Sequence, residues 1–183
     1  MLFICFSWCK MFPEATAEMI YLDMDGVLAD FDRGVNELCG MESNAQKKVF
    51  RAPDDWPMWI AIRSVEHFYN KLELMRGAKE MFDLIYGRYG DQCEILTGVP
   101  KPIRNIPTAG EDKIAWMRRK LSDRIKINIV LRNEKINFCK GPDCILIDDR
   151  SKTIREWEEK GGIGILHMSA EQTVEELKRR GLL

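Results

Sequence analysis

Long hydrophobic runs, paired cysteines, histidine clusters and a surplus of one charge are all missing from this sequence. No apolar stretch approaches the roughly 18 residues that span a bilayer, so no membrane partner is expected. Cysteines stand at positions 5, 9, 39, 93, 139 and 144, with no C-x-x-C pair and no histidine at zinc-finger spacing. Cys93, Cys139 and Cys144 lie in or beside apolar stretches, as reduced, packed thiols of a cytosolic protein do. The two histidines, His67 and His167, have no partner at ligand spacing and read as structural or solvated. Lys and Arg number 28 against 29 Asp and Glu, so bulk charge steers the chain to neither nucleic acid nor anionic lipid. Internal repeats and low-complexity segments are also absent. What remains is globular: 45% hydrophobic and 31% charged residues exclude disorder. With 183 residues the chain makes one domain, or one domain with a small insertion, and needs no disulfide or metal staple for its core.

The first eighteen residues are expected to form a disordered or loosely docked leader. Leu2 to Cys9 is apolar but lacks the basic start of a secretory signal, and Lys10 and Pro13 break the stretch beyond Cys9. From Met19 on, short apolar runs alternate with amphipathic stretches. Met19 to Leu22 predicts a buried strand, stopped by the turn pair Asp25-Gly26. Asp30 predicts the N-cap of a helix that ends by Gly40. Gly77 to about Tyr86 predicts a helix with Ala78, Met81, Leu84 and Ile85 on its inner face.

Cys93 to Leu96 predicts a second strand. Thr108 with Glu111 has the form of a capping box for a helix to about Leu121, with an Ile114, Met117 and Leu121 stripe and Trp116 as packing beside it. Strands are predicted at Ile127–Leu131, Cys144–Ile147 and Ile163–Leu166. A helix separates the last two, and another, capped by Ser169 with Gln172, closes the chain near Gly181. The Lys178-Arg179-Arg180 run complements that helix's C-terminus.

Strands alternating with helices predict a parallel sheet covered on both faces, with the ligand site beyond the carboxyl ends of the strands. Asp23 and Asp25, Thr97, and Asp148 and Asp149 stand at such ends, and Arg132, Asn133 and Lys135 come after a third. The segment from about residue 32 to 74 breaks the alternation and reads as a small helical insertion over that pocket. It holds Phe50, Trp56, Trp59, Phe68 and Tyr69, and a turn at Pro53-Asp54-Asp55. Four carboxylates sharing a pocket repel one another unless a cation is present. With oxygen ligands only, the hard ion Mg²⁺ is the natural choice. Asp23 and Asp25 share a face, so one can act as nucleophile while the other moves protons. Thr97, the Gly98 amide and a lysine can bind an anion, a set that suits a phosphoryl group.

The stretches Asp23-Met24-Asp25-Gly26-Val27-Leu28-Ala29-Asp30-Phe31, Ile95-Leu96-Thr97-Gly98 and Ile145-Leu146-Ile147-Asp148-Asp149-Arg150 resemble the haloacid dehalogenase superfamily. More narrowly they resemble its 5'(3')-deoxyribonucleotidases. Glu111 to Trp116 and Ile129 to Lys135 are similar to that family too. The resemblance covers about Met19 to His167. It implies a Rossmannoid three-layer α/β/α core (residues 19–31 and 75–183) with a small helical cap (32–74) after the first strand. It further implies Asp23 as nucleophile, Asp25 as acid and base, and Mg²⁺ held by Asp23, the Asp25 carbonyl and Asp149, with Asp148 behind Asp149. Thr97, Gly98 and Lys135 would bind phosphate, Lys113 being a supporting charge or the alternative for that role. Phe31 would pack on the base, and Trp56, Trp59, Phe68 and Tyr69 are substrate-binding candidates by residue type.

The packed thiols point to a cytoplasmic enzyme, and the resemblance implies a homodimer as one state. The sequence departs from the family at Gly98-Val99-Pro100, where Ser-Pro would come after the threonine. The expected activity is Mg²⁺-dependent hydrolysis of nucleoside 5'-monophosphates, deoxyribonucleotides above all. A phosphatase of another small metabolite, such as a sugar phosphate, is the alternative within enzymes. A phosphoacceptor signalling domain uses similar residues, but it places its adjacent acid pair first. Here Asp-x-Asp comes first and the adjacent pair late.

Overall fold

In the computed structural model, residues 19–42 and 56–183 are described. The leader with Cys5 and Cys9, Phe50 and the turn at Pro53-Asp54-Asp55 lie outside the described residues. Five parallel strands, β1 (Met19–Leu22), β2 (Cys93–Val99), β3 (Lys126–Leu131), β4 (Cys144–Asp148) and β5 (Ile163–Leu166), form one sheet in the order β3-β2-β1-β4-β5. Side chains alternate across each strand, and both faces are buried. Ile20, Leu22, Ile95, Ile145 and Ile147 join one apolar cluster with Met81, Phe82 and Ile85 of α3 (Ala78–Tyr89). Met117 of α4 (Ala109–Lys120) and Leu177 of α6 (Ala170–Arg179) belong to the same cluster. Tyr21, Leu96 and Leu146 face the other way, against Ile154 and Trp157 of α5 (Ser151–Glu159). This is the three-layer arrangement expected.

Chain order outward from β1 to β2 and β3, then back to β4 beside β1, makes the gap between β1 and β4 the switch point of the sheet. The β1 ladder carries on past its end, since Asp23 N–H donates to the Ile147 carbonyl at 3.0 Å. Gly26 then turns the chain with φ 77. A β-carbon there would stand 2.6 Å from Asp149 Oδ2, so only glycine allows the β1 and β4 ends to approach this closely.

The insertion begins with α1 (Phe31–Cys39), capped by Asp30 through Arg33 N–H at 3.0 Å and ended by left-handed Gly40. It continues in α2 (Trp56–Ser64) and a 3₁₀ turn (Phe68–Lys71). Its outgoing and returning strands are stitched together. Asp30 N–H donates to the Glu73 carbonyl at 2.9 Å, and Met75 N–H to that of Leu28 at 2.8 Å. The return arm is tied to α4 by Trp116, whose ring N–H meets the Leu72 carbonyl at 2.6 Å. Arg119 on Asn70 (2.6 Å) and Lys120 on Glu73 (3.1 Å) add two further ties.

Four expectations are corrected. Leu84 of α3 is exposed and Phe82 takes its inward place. Ile114 of α4 is also exposed, because the helix turns Asp112, Lys113 and Trp116 inward instead. The polar pair on that buried face disguised it as a surface. Thr108 makes no capping bond and already has helical backbone; its hydroxyl donates to Asp112 at 3.1 Å. Finally, β2 continues to Val99, since β3 pairs with Thr97 and Gly98 through Ile129 and Val130.

Candidate active site

Three of the four carboxylates expected to converge come together at the switch point, without Asp25. Asp23, Asp148 and Asp149 each offer an oxygen within 4.8 Å of the others. Asp23 is fixed from two sides: Met24 N–H donates to Oδ1 at 2.7 Å, and Lys135 Nζ lies 2.8 Å from Oδ2. Lys135, buried, also donates to Asp148 Oδ2 at 2.7 Å. The other Asp148 oxygen accepts from Arg150 N–H at 2.9 Å, so both are engaged by the protein. Among the described residues Asp149 shows no comparable pairing in its hydrogen bonds or ion pairs, although it borders the same space.

Asp25 sits on the second lysine. Lys113 Nζ donates to Asp25 Oδ2 at 2.7 Å, to Thr97 Oγ1 at 3.0 Å and to the Gly98 carbonyl at 2.7 Å. Asp25 Oδ1 is buried with no partner among the described residues. The two lysines thus divide the site: Lys135 balances Asp23 and Asp148, while Lys113 joins Asp25 to the Thr97 strand. They are not alternatives for one place.

The titration of these groups stems from burial and spacing. Burial opposes ionisation of Asp23, yet Lys135 and Lys113 hold it below the ordinary carboxylate range. Burial raises Asp25, with Asp23 adding to the effect and Lys113 opposing it. Burial and then Asp23 raise Asp148. Asp149 is pushed up to about 7 by burial and by the charges of Asp23 and Asp148. The two carboxylates of the Asp-x-Asp pair are thus shifted in opposite directions, Asp23 down and Asp25 up. Burial also lowers Arg132, with Arg150 as a like-charged neighbour, while Asp23, Asp148 and Asp149 pull it the other way.

Phe31, Trp59, Phe68 and Tyr69 gather into one aromatic cluster. Phe31 stacks on Tyr69 (centroids 6.2 Å, 29° between planes), meets Phe68 edge-on at 5.7 Å and tilts towards Trp59 at 6.4 Å. Phe31, Phe68 and Tyr69 are buried. Tyr69 extends to the site, with Lys113 Nζ 4.8 Å from its ring centre. Trp56 and Trp59 both lie against the Arg104 guanidinium, at 5.2 and 5.3 Å.

Residues 17–180 match the family described as "5' nucleotidase, deoxy (Pyrimidine), cytosolic type C protein". The chain belongs to this family. Among curated relatives of the deoxynucleotidase chain, a protein of Vibrio phage KVP40 named "Putative 5'(3')-deoxyribonucleotidase" is 29% identical over 135 residues. That match spans 73% of this chain and 67% of the phage protein. Among solved structures, a hydrolase from Streptococcus pneumoniae TIGR4 matches at 11% identity and TM-score 0.48, over 89% of this chain and 99% of that one. The HAD domain of effector protein Lem4 from Legionella pneumophila matches at 15% identity and TM-score 0.43, covering 89% and 94%. Both scores lie below one half, and membership of the deoxynucleotidase family stands on the match across residues 17–180.

Sequence reasoning on this family member placed Arg132 at the pocket without giving it a role, and it missed the contact between His67 and Asp112. Arg132 was visible as a charge just beyond β3. His67 and Asp112 stand 45 positions apart, and no local pattern signals their contact. Among the described residues, no helix is long and apolar enough to cross a membrane, and Cys39, Cys93, Cys139 and Cys144 are unbonded.

Proposed function

We propose that this deoxynucleotidase-family hydrolase is an Mg²⁺-dependent phosphomonoesterase of nucleoside 5'-monophosphates, deoxyribonucleotides first, working through an aspartyl-phosphate. The observation that carries the reading is the split of the site between two buried lysines, Lys135 on Asp23 and Lys113 on Asp25, with Asp23 held below the ordinary carboxylate range and Asp25 raised above it by burial. An Asp23 oxygen attacks phosphorus as the bond to the ester oxygen breaks, and Asp25 gives its proton to that leaving oxygen. Asp25, now ionised, takes a proton from water. The water oxygen attacks phosphorus, the bond to Asp23 breaks, and inorganic phosphate leaves.

The donor set fits a hard divalent cation. Three carboxylate oxygens lie within 4.8 Å, and burial with the charges of Asp23 and Asp148 raises Asp149 to about 7 although Arg150 and Lys135 oppose the rise. Asp23, the Asp25 carbonyl and Asp149 would hold it. Asp148, with both oxygens taken by Lys135 and Arg150 N–H, would orient the cluster from behind. When bound, the ion supplies positive charge against the phosphoryl oxygens. Thr97, the Gly98 amide, Lys113 and Lys135 complete the phosphate site. Residues 32–74 would be the cap, with Phe31, Trp59 and Tyr69 bordering the base and sugar. Trp56 shares Arg104 with Trp59, and Phe68 backs Phe31. A cytosolic setting agrees with the family's description and with the unbonded cysteines.

Phosphate release from a panel of nucleoside 5'- and 3'-monophosphates and sugar phosphates, with Mg²⁺ and with EDTA, tests the reading. Metal-dependent release favouring deoxyribonucleotides is expected, and Asp23→Asn should abolish it while leaving the fold intact. Release from sugar phosphates alone would remove the nucleotide assignment. Substantial turnover in the Asp23 variant would remove the covalent route.

A further inference from the structure

His67 opens the 3₁₀ turn of the return arm with left-handed backbone, φ 52 and ψ 42. That conformation costs a residue with a β-carbon about 1 kcal/mol or more, so some contact must hold it. The ring supplies one: Nδ1 lies 2.7 Å from Asp112 Oδ1 on α4. Asp112 is a buried carboxylate whose other oxygen accepts from the Thr108 hydroxyl. Two residues along the arm, Tyr69 lies against Lys113, the residue after Asp112. His67 on Asp112 and Tyr69 on Lys113 are therefore adjacent rungs of one seam. Its inner rung is the lysine that reaches Asp25 and Thr97.

We propose that His67 and Asp112 are positioning residues: a latch, tightest while the His67 ring is protonated, that seats Tyr69 against Lys113 and thereby sets how firmly substrate is held. The last clause rests on the phosphatase reading above. The charged groups facing the ring are Asp112 from α4, with Glu66 (3.8 Å from Nε2) and Lys71 from its own segment. The hydrogen bond to Asp112 and that residue's charge raise His67 above its ordinary 6.5, Glu66 adds to the rise, and Lys71 opposes it. The latch is then fully made below 6.5 and loosens as pH climbs through the raised value. A neutral ring can still donate from Nδ1, so loosening weakens the seam without opening it.

The chain has two histidines, so ring titrations by NMR on the full chain separate cleanly. His67 should titrate above 6.5, and the Tyr69 ring resonances should move along the same curve. Asp112→Asn should return His67 to its ordinary value and uncouple Tyr69. His67→Gly relieves the backbone and so should fold. At acid pH it should raise KM for the phosphomonoester about three- to fivefold with kcat almost unchanged, and it should flatten the parent's rise of KM with pH. His67→Gln, keeping a neutral donor, should recover part of the loss. A His67 titration at or below 6.5, or Tyr69 resonances indifferent to it, overturns the latch whatever the activity. So does a His67→Gly pH profile that superimposes on the parent. If no phosphomonoester is hydrolysed, the functional reading fails while the NMR titration still decides the latch.

Discussion

Lys135 is a buried cation held by two buried carboxylates, and that geometry decides what its loss does. Removing one partner of a buried ion group strands the others, at about 3–5 kcal/mol. Lys135→Met should therefore lower unfolding stability by about 3 kcal/mol in metal-free buffer, read by urea melts, and added Mg²⁺ should restore part of it. Lys113 is as buried, yet it shares its charge with one carboxylate, a hydroxyl and a carbonyl, so its loss should fall more on turnover. Gly98 is a residue whose side chain the fold does not forbid. Its φ is not left-handed, and a β-carbon would meet Arg132 at 3.6 Å, an ordinary contact. Gly98→Ser should keep or slightly raise the melting temperature, since glycine in a strand costs about 0.5–1 kcal/mol. It should also lower KM by adding a hydroxyl on the Arg132 side of the strand end. A higher KM would mean that the site is shaped around the bare backbone.

Helix α4 is where the sequence was hardest to read, because its buried face carries Asp112 and Lys113 beside Trp116 and Met117. A helix that holds both a site lysine and the insertion's return arm cannot show an apolar stripe, and periodicity instead picked out the exposed Ile114. Helix α3 misled in a milder way, with Leu84 and Phe82 both apolar and two positions apart. By contrast, β1, β4 and β5 were legible to within a residue. Each is a short apolar run closed by an acid or a histidine, and burial on both faces of a parallel sheet demands that run. The acids at the strand ends were legible for the same reason. Contacts across the insertion, such as His67 on Asp112, depend on packing between distant segments and leave no local trace. Of the ties between α4 and the arm, Lys120 on Glu73 is partly exposed and contributes little. Trp116 is buried, and its N–H satisfies the Leu72 carbonyl. Trp116→Phe should cost about 1–3 kcal/mol in urea melts without changing the m-value, more than Lys120→Ala.

For the whole molecule, the acid side of the stability curve should carry the signature of a residue with no role in the proposed reaction. His167 comes directly after β5, is buried, and its Nδ1 lies 2.8 Å from the Thr173 hydroxyl on α6. Nε2 is buried with no partner among the described residues. Burial lowers its pKa from 6.5 to about 4. Above 6.5 the ring is neutral whether the chain is folded or not, and it contributes nothing to pH dependence. Below 6.5 the unfolded chain takes up a proton that the folded one refuses, so stability falls until the folded ring also titrates near 4. The span of that window corresponds to about 3 kcal/mol. His167 N–H also donates to the Asp148 carbonyl, so the same acid stress reaches the strand end that carries the site. His167→Gln should be less stable than the parent at neutral pH, because Gln fills the cavity less well. It should lose less stability on acidification, so that the two urea-melt curves converge between 6.5 and 4. Parallel curves would mean that the carboxylates alone set the acid limb.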